Sequence, residues 1–215
     1  MKEIDHKRFK ELIQEIPSTT LEDVSILLPD DYFDCRLSRT ISLKPIMFLG
    51  LNRSRPDIYS LPYHNMKNAI LEFLSRPEDR DIRGCFQGSY LSDFIKYPIL
   101  KKISKNQKFP NAGEVWKLVK DNPEILKECG EILKKEIEVF GIRTVFCFGG
   151  HTYALVSKYF GKNNSKIFSI KLNNQLADFI KLDHYSKANQ QYYYRIKELL
   201  RQYCCRKKIV SSRVG

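Results

Sequence analysis

Hydrophobic residues along the chain recur with two distinct periods, and the switches between them outline the fold. Phe9, Leu12, Ile13 and Ile16 stand at i, i+3, i+4 and i+7, so residues 2–16 read as an amphipathic helix that Pro17-Ser18-Thr19 ends. Pro29-Asp30-Asp31 marks a turn, and Pro45 introduces the unbroken apolar run Ile46-Met47-Phe48-Leu49. A run of strand length that is apolar on both faces suits a buried parallel strand. Beyond Asn52-Arg53-Ser54-Arg55-Pro56 the period becomes helical through Met66, Ile70, Leu71 and Leu74, and a polar break follows from Arg76 to Gly84. Residues 89–96 alternate weakly and predict a second strand. The lysine-rich segment after them, with the only tryptophan (Trp116), reads as a long loop with a short helix.

Asn122-Pro123 opens the clearest helix, through Ile125, Leu126, Cys129, Ile132, Leu133, Ile137 and Phe140, with Gly141 as its C-terminal cap. Thr144–Phe148 predicts a third strand, and Gly149-Gly150 leads into a helix holding Tyr153, Leu155 and Val156. Asp178–Leu182 predicts a fourth strand and Tyr192–Arg206 a last helix. Strands alternating with helices imply a three-layer α/β/α sandwich around a mainly parallel, four-stranded sheet. One domain over residues 1–205, with a basic tail at 206–215, accommodates this pattern.

Composition narrows the class. The 215 residues carry 37 Lys+Arg against 25 Asp+Glu, a net charge of +12, and 42% are hydrophobic. That excludes a disordered or collagen-like chain. No apolar run approaches the ~18 residues that cross a bilayer. Met1-Lys2-Glu3-Ile4-Asp5-His6 lacks an apolar signal core, so a cytoplasmic protein is expected, without membrane association. The six cysteines form no CxxC pair and no Cys/His cluster, so neither metal nor cofactor is expected. The positive charge gathers in two blocks: seven lysines against Glu114 between Phe94 and Lys120, and seven basic residues against Glu198 between Arg195 and Gly215. Such blocks point to a phosphate-bearing partner, nucleic acid being the commonest, and a monomer is expected.

Ligands of open α/β sheets bind at the C-terminal ends of the strands. Three segments place polar residues there: Gly50-Leu51-Asn52-Arg53-Ser54, Ser92-Asp93, and His184-Tyr185-Ser186. Together they resemble the uracil-DNA glycosylase superfamily. FLGLNRSRP is similar to its water-positioning Gly-x-Asn-Pro or Gly-x-Asp-Pro motif, SYLSDFIK to the strand ending in a base-reading Asn, and LDHYS to its His-Pro-Ser motif. ILKKEIEVFGIRTVFCFGGHTYALV is similar to the stretch between the second and third motifs, so the resemblance spans roughly residues 44–200. The chain departs from the pattern at Arg53 and Tyr185, where proline is usual, and at Asp93 in the Asn position.

The resemblance implies a monofunctional DNA glycosylase with Asn52 and His184 as catalytic residues. Gly50, Leu51, Ser54, Asp93 and Ser186 would bind the substrate, and Arg53, Arg55, Lys187 and Asn189 the DNA. The chemistry is consistent with those residue types. A leaving base gathers negative charge that a histidine donor stabilises, and an asparagine orients the attacking water without accepting its proton. A carboxyl at position 93 accepts from the 4-amino group of a cytosine-type base, whereas it would meet uracil O4 acceptor to acceptor. The expected substrate is therefore a modified pyrimidine, a modified cytosine of invading phage DNA among them. A conventional uracil-removing repair enzyme and a non-catalytic DNA-binding module of this fold are the alternatives. A nucleotide-binding enzyme using Gly149-Gly150 ranks last, because no complete phosphate loop accompanies that pair. His151 is a candidate phosphate contact or helix cap, and Tyr59, Tyr63 and Phe86 are candidates for stacking on a flipped base.

Overall fold

Side chains of the strand β4 (Ile46–Asn52) alternate between two apolar cores. Met47, Leu49 and Leu51 enter one, while Ile46 and Phe48 enter the other. This period-2 division into two interiors requires cover on both faces of the sheet. The computed structural model describes residues 2–27, 40–52, 66, 69, 70, 72, 79–103, 111–163, 165–184 and 190–211. Among them the central sheet has six strands in the order β2-β5-β4-β6-β8-β7. These are β2 (Val24–Ile26), β4, β5 (Tyr90–Ile95), β6 (Thr144–Phe148), β7 (Ile167–Leu172) and β8 (Gln175–Leu182). Neighbours among β5, β4, β6 and β8 pair in parallel, and β2 and β7 add antiparallel edges.

The four strands expected from the sequence are thus the parallel centre, and the expected count of four is corrected to six. The omitted edges have physical reasons: β2 is three residues long, and β7 closes a hairpin whose turn holds Asn173 at φ 50°. A separate two-stranded sheet pairs β1 (Lys2–Asp5) with β3 (Thr40–Leu43). Residues 2–5 are therefore strand, not the start of a helix. Asp5 instead caps α1 (His6–Gln14), its carboxylate accepting from Arg8 N–H at 2.7 Å.

The helix α1 covers one face with α4 (Ala112–Asp121), α5 (Pro123–Phe140) and α6 (Gly150–Tyr159). Gly141 ends α5 at φ 64°, a left-handed conformation that glycine adopts without strain. The opposite face is covered by α2 (Arg80–Phe86), α7 (Gln190–Ser211) and Met66 and Ile70. The polar stretch 76–84 therefore contains the start of a helix, because Asp79 is neutralised inside the fold. Lys197 Nζ pairs with Asp79 Oδ2, and Arg201 Nη2 reaches Oδ1 at 2.7 Å. The lysine-rich segment forms two helices, α3 (Tyr97–Ile103) and α4, rather than one. No helix among the described residues is long and apolar enough to cross a membrane.

Candidate functional site

The crossover from β4 to β5 runs over the α2 face and that from β5 to β6 over the α5 face, so the connections diverge at the C-terminal end of β4. Open α/β sheets bind their ligands where connections part in this way. Asn52 is the last residue of β4 and is half-buried. Gly50 is in register with Asp93 of β5, and both follow the parity of Phe48 and Leu91 toward the α2/α7 face. Asn52 continues that parity. His184 lies two residues past Leu182, whose side chain belongs to the same core.

Two glycines let these side chains approach. A Cβ at Gly50 would overlap Asp93 Oδ1 and lie 2.8 Å from Met66 Cε, so the carboxylate of Asp93, 5% exposed, folds directly over the strand. Gly149, at φ 86°, joins β6 to α6, and a Cβ there would lie 3.0 Å from His184 Cδ2. The imidazole therefore rests against the β6–α6 turn. Asp93, Asn52 and His184 come from the ends of β5, β4 and just beyond β8, with β6 between the last two.

The remaining site residues divide clearly. Leu51 points into the core on the opposite face, so only its backbone is available to the cleft. Phe86 is fully buried, with ring centroids 5.6 Å from Phe48 and 5.8 Å from Phe146, and is corrected from stacking candidate to core residue. Arg53, Ser54, Arg55, Tyr59, Tyr63, Ser186, Lys187 and Asn189 lie outside the described residues.

The basic blocks lose members to the interior. Lys96 and Glu136 are each 1% exposed and pair at 2.7 Å on the face away from Asp93. Tyr90 OH and Ser92 Oγ both donate to Glu136 Oε1 at 2.9 Å, and Lys96 Nζ also donates to Ser92 Oγ. In the second block Lys197 and Arg201 are held by Asp79. Burial pushes the Asp79 carboxyl up, but the hydrogen bonds and charges of Lys197 and Arg201 outweigh it and leave the pKa below the ordinary value. Lys101, Lys102, Lys117 and Lys120 remain exposed.

Cys129 and Cys147 are core residues, and burial pushes both thiols up, Cys129 to about 12, so neither is a nucleophile at neutral pH. Among the described residues no group of three His, Cys, Asp or Glu side chains is arranged to hold a metal ion. A cleft of about 600 Å³ beside Glu138, Arg143 and the turn Asn173–Asn174 sits at the other end of the sheet. There Asn173 Nδ2 donates to Glu138 Oε1 at 2.8 Å and Gln175 Nε2 donates to Ile142 O, contacts that fasten the hairpin to α5. No protein-family model matches this chain. No curated protein matches it in sequence either.

Proposed function

We propose that the protein is a monofunctional DNA N-glycosylase that hydrolyses the bond between deoxyribose and an extruded, modified pyrimidine. The observation that supports this reading is the placement of Asp93 and Asn52 on one face of the neighbouring strands β5 and β4, with His184 just beyond β8 on the same C-terminal side of the sheet and Gly50 and Gly149 admitting the first and last. In the proposed reaction a water oxygen bonds to C1′ as the C1′–N1 bond breaks, the bonding pair leaves with the base, the water's surplus proton passes to solvent, and the departing base anion takes up a proton from solvent. His184 donates to the base O2, where that charge collects, and Asn52 holds the water on line. Asp93 presents a carboxyl oxygen to the 4-amino group of a cytosine-type base, which makes a modified cytosine the preferred substrate. Lys96 is buried in its ion pair with Glu136, so it is withheld from Schiff-base chemistry and the product is an intact abasic site.

The deciding experiment is base release from an oligonucleotide panel that spans uracil, hydroxymethyluracil and modified cytosines. The expected result is release of a 4-amino base, no borohydride-trapped adduct, and a move toward uracil in Asp93→Asn. His184→Ala should slow the single-turnover step by roughly 10²–10³-fold, as for loss of one preorganised donor. Asn52→Ala should slow it with DNA affinity nearly unchanged. Efficient uracil release without activity on any modified cytosine would remove the Asp93 assignment. Normal rates in both site variants would remove the site.

A further inference from the structure

Trp116 and His151 stack at the same rim of the sheet, with ring centroids 5.5 Å apart and planes at 28°. Trp116 is half-buried and packs on the core below α4, whereas His151 is exposed. The imidazole thus lies over the indole as the outer layer of a two-ring stack. His151 is two residues beyond Gly149, so their Cα atoms are ~7 Å apart at most. Gly149 is the residue against which His184 rests. A strand that presents a base to His184 therefore passes the stack within its neighbouring nucleotides.

The electrostatics agree. The helices α4 and α6 run side by side, Trp116 midway along α4 meeting His151 at the start of α6 and Lys158 Nζ donating to Lys120 O at 3.5 Å near their ends. Lys117, Lys120 and Lys158 are exposed along this pair. The acidic neighbour Glu114 is occupied in a cap, accepting from Asn111 N–H at 2.7 Å while Asn111 Oδ1 accepts from Gly113 and Glu114 N–H at 3.0 Å. Asp121 is the remaining acid on α4.

We propose that His151, backed by Trp116, is a stacking platform for an unpaired nucleobase flanking the extruded nucleotide, so that the protein engages single-stranded DNA. The proposal rests on the DNA reading above and adds a second contact outside the catalytic cleft. Stacking tolerates any base, because every base offers a π face, and the lysines supply backbone attraction.

The single tryptophan makes the test direct. The full chain is titrated at low salt with a labelled oligo-dT, following label anisotropy for affinity and Trp116 emission for the stack, with a blunt duplex as control. The expected result is a change in emission that tracks single-strand binding and is absent with the duplex. His151→Ala should weaken oligo-dT about 5- to 150-fold, the range for loss of one base–aromatic stack. His151→Phe, which keeps a π face, should restore most of it. Oligo-dT binding with unchanged emission and unchanged affinity in His151→Ala would overturn the platform and leave the DNA reading intact. Absence of any DNA binding at low salt would overturn both.

Discussion

Replacing Lys96 by methionine isolates a buried ion pair on the face of β5 opposite Asp93. The ammonium group is 1% exposed and donates to Glu136 Oε1 at 2.7 Å and to Ser92 Oγ. Methionine keeps an unbranched chain of similar length but leaves the Glu136 carboxylate in the core with only the Tyr90 and Ser92 hydroxyls. Among the described residues Glu136 Oε2 has no hydrogen-bond partner, so no second donor there shares the charge. Removing one partner of such a pair costs about 3–5 kcal/mol. That is a large part of the 5–15 kcal/mol that holds a typical domain together. At roughly 2–4 °C per kcal/mol for a chain of this size, Tm should fall by about 6–20 °C. Neutralising the abandoned charge in Lys96→Met/Glu136→Gln should recover most of the loss. Urea unfolding followed by circular dichroism, with calorimetry for Tm, measures both. A loss below about 1 kcal/mol in Lys96→Met, or a double variant no better than the single, would refute the view that an uncompensated charge is what Lys96 prevents.

Gly50→Ala should push the Asp93 carboxylate and the Met66 methyl aside, both being movable ends, at about 1–3 kcal/mol of stability. Misplacing the reading group should lower excision up to ~10²-fold, and Asp93→Ala in the same chain should restore Tm but not activity. An unchanged Tm and rate in Gly50→Ala would mean that the two side chains do not meet. Asp79 gives stability a definite pH dependence. Its folded pKa lies below the unfolded value of about 3.9, so its contribution is complete above that value and is lost as pH falls through the folded one. Urea midpoints between pH 2 and 7 should show this loss, and Asp79→Asn should remove it while lowering stability at pH 7, since Lys197 is left buried without its carboxylate. Identical profiles for the two proteins would count against the charge cluster.

Apolar runs of four and five residues beside Pro45 and Gly149 made Ile46–Leu49 and Thr144–Phe148 legible, because that length between turn signals suits a strand covered on both faces. Val24–Ile26 was not legible, since three residues carry no period. The alternation Ile167-Phe168-Ser169-Ile170-Lys171-Leu172 before Asn173-Asn174 is a hairpin signal that the sequence does carry. Lys2–Asp5 pairs with Thr40–Leu43, a distant partner that local pattern does not reveal. Charge counts cannot separate Lys96, Lys197 and Arg201 from surface cations, because composition says nothing of the carboxylates that meet them across the fold. In the candidate site the order of polar strand ends brought out Asn52, Asp93 and His184. The close packing at Gly50 and Gly149 depends on neighbouring strands and becomes visible only in three dimensions.

The attachment of α7 to Asp79 has a consequence for the order in which the molecule is made. Asp79 leaves the ribosome 122 residues ahead of Arg201. At roughly 5–20 residues per second that is a wait of about 6–25 s. During it the carboxylate has no lysine or arginine from the last helix to neutralise it, so it must stay hydrated and hold its surroundings open. The layer formed by α2 and α7 is accordingly the last part of the described fold to close, after the opposite layer has its helices α1, α4, α5 and α6. A chain released before residue 197 would carry Asn52, Asp93 and His184 in their places in the sequence yet lack the helix that covers the α2 face of the sheet. Synthesis itself thus times the assembly of this layer, and a nascent chain acquires it only after α7 has been added.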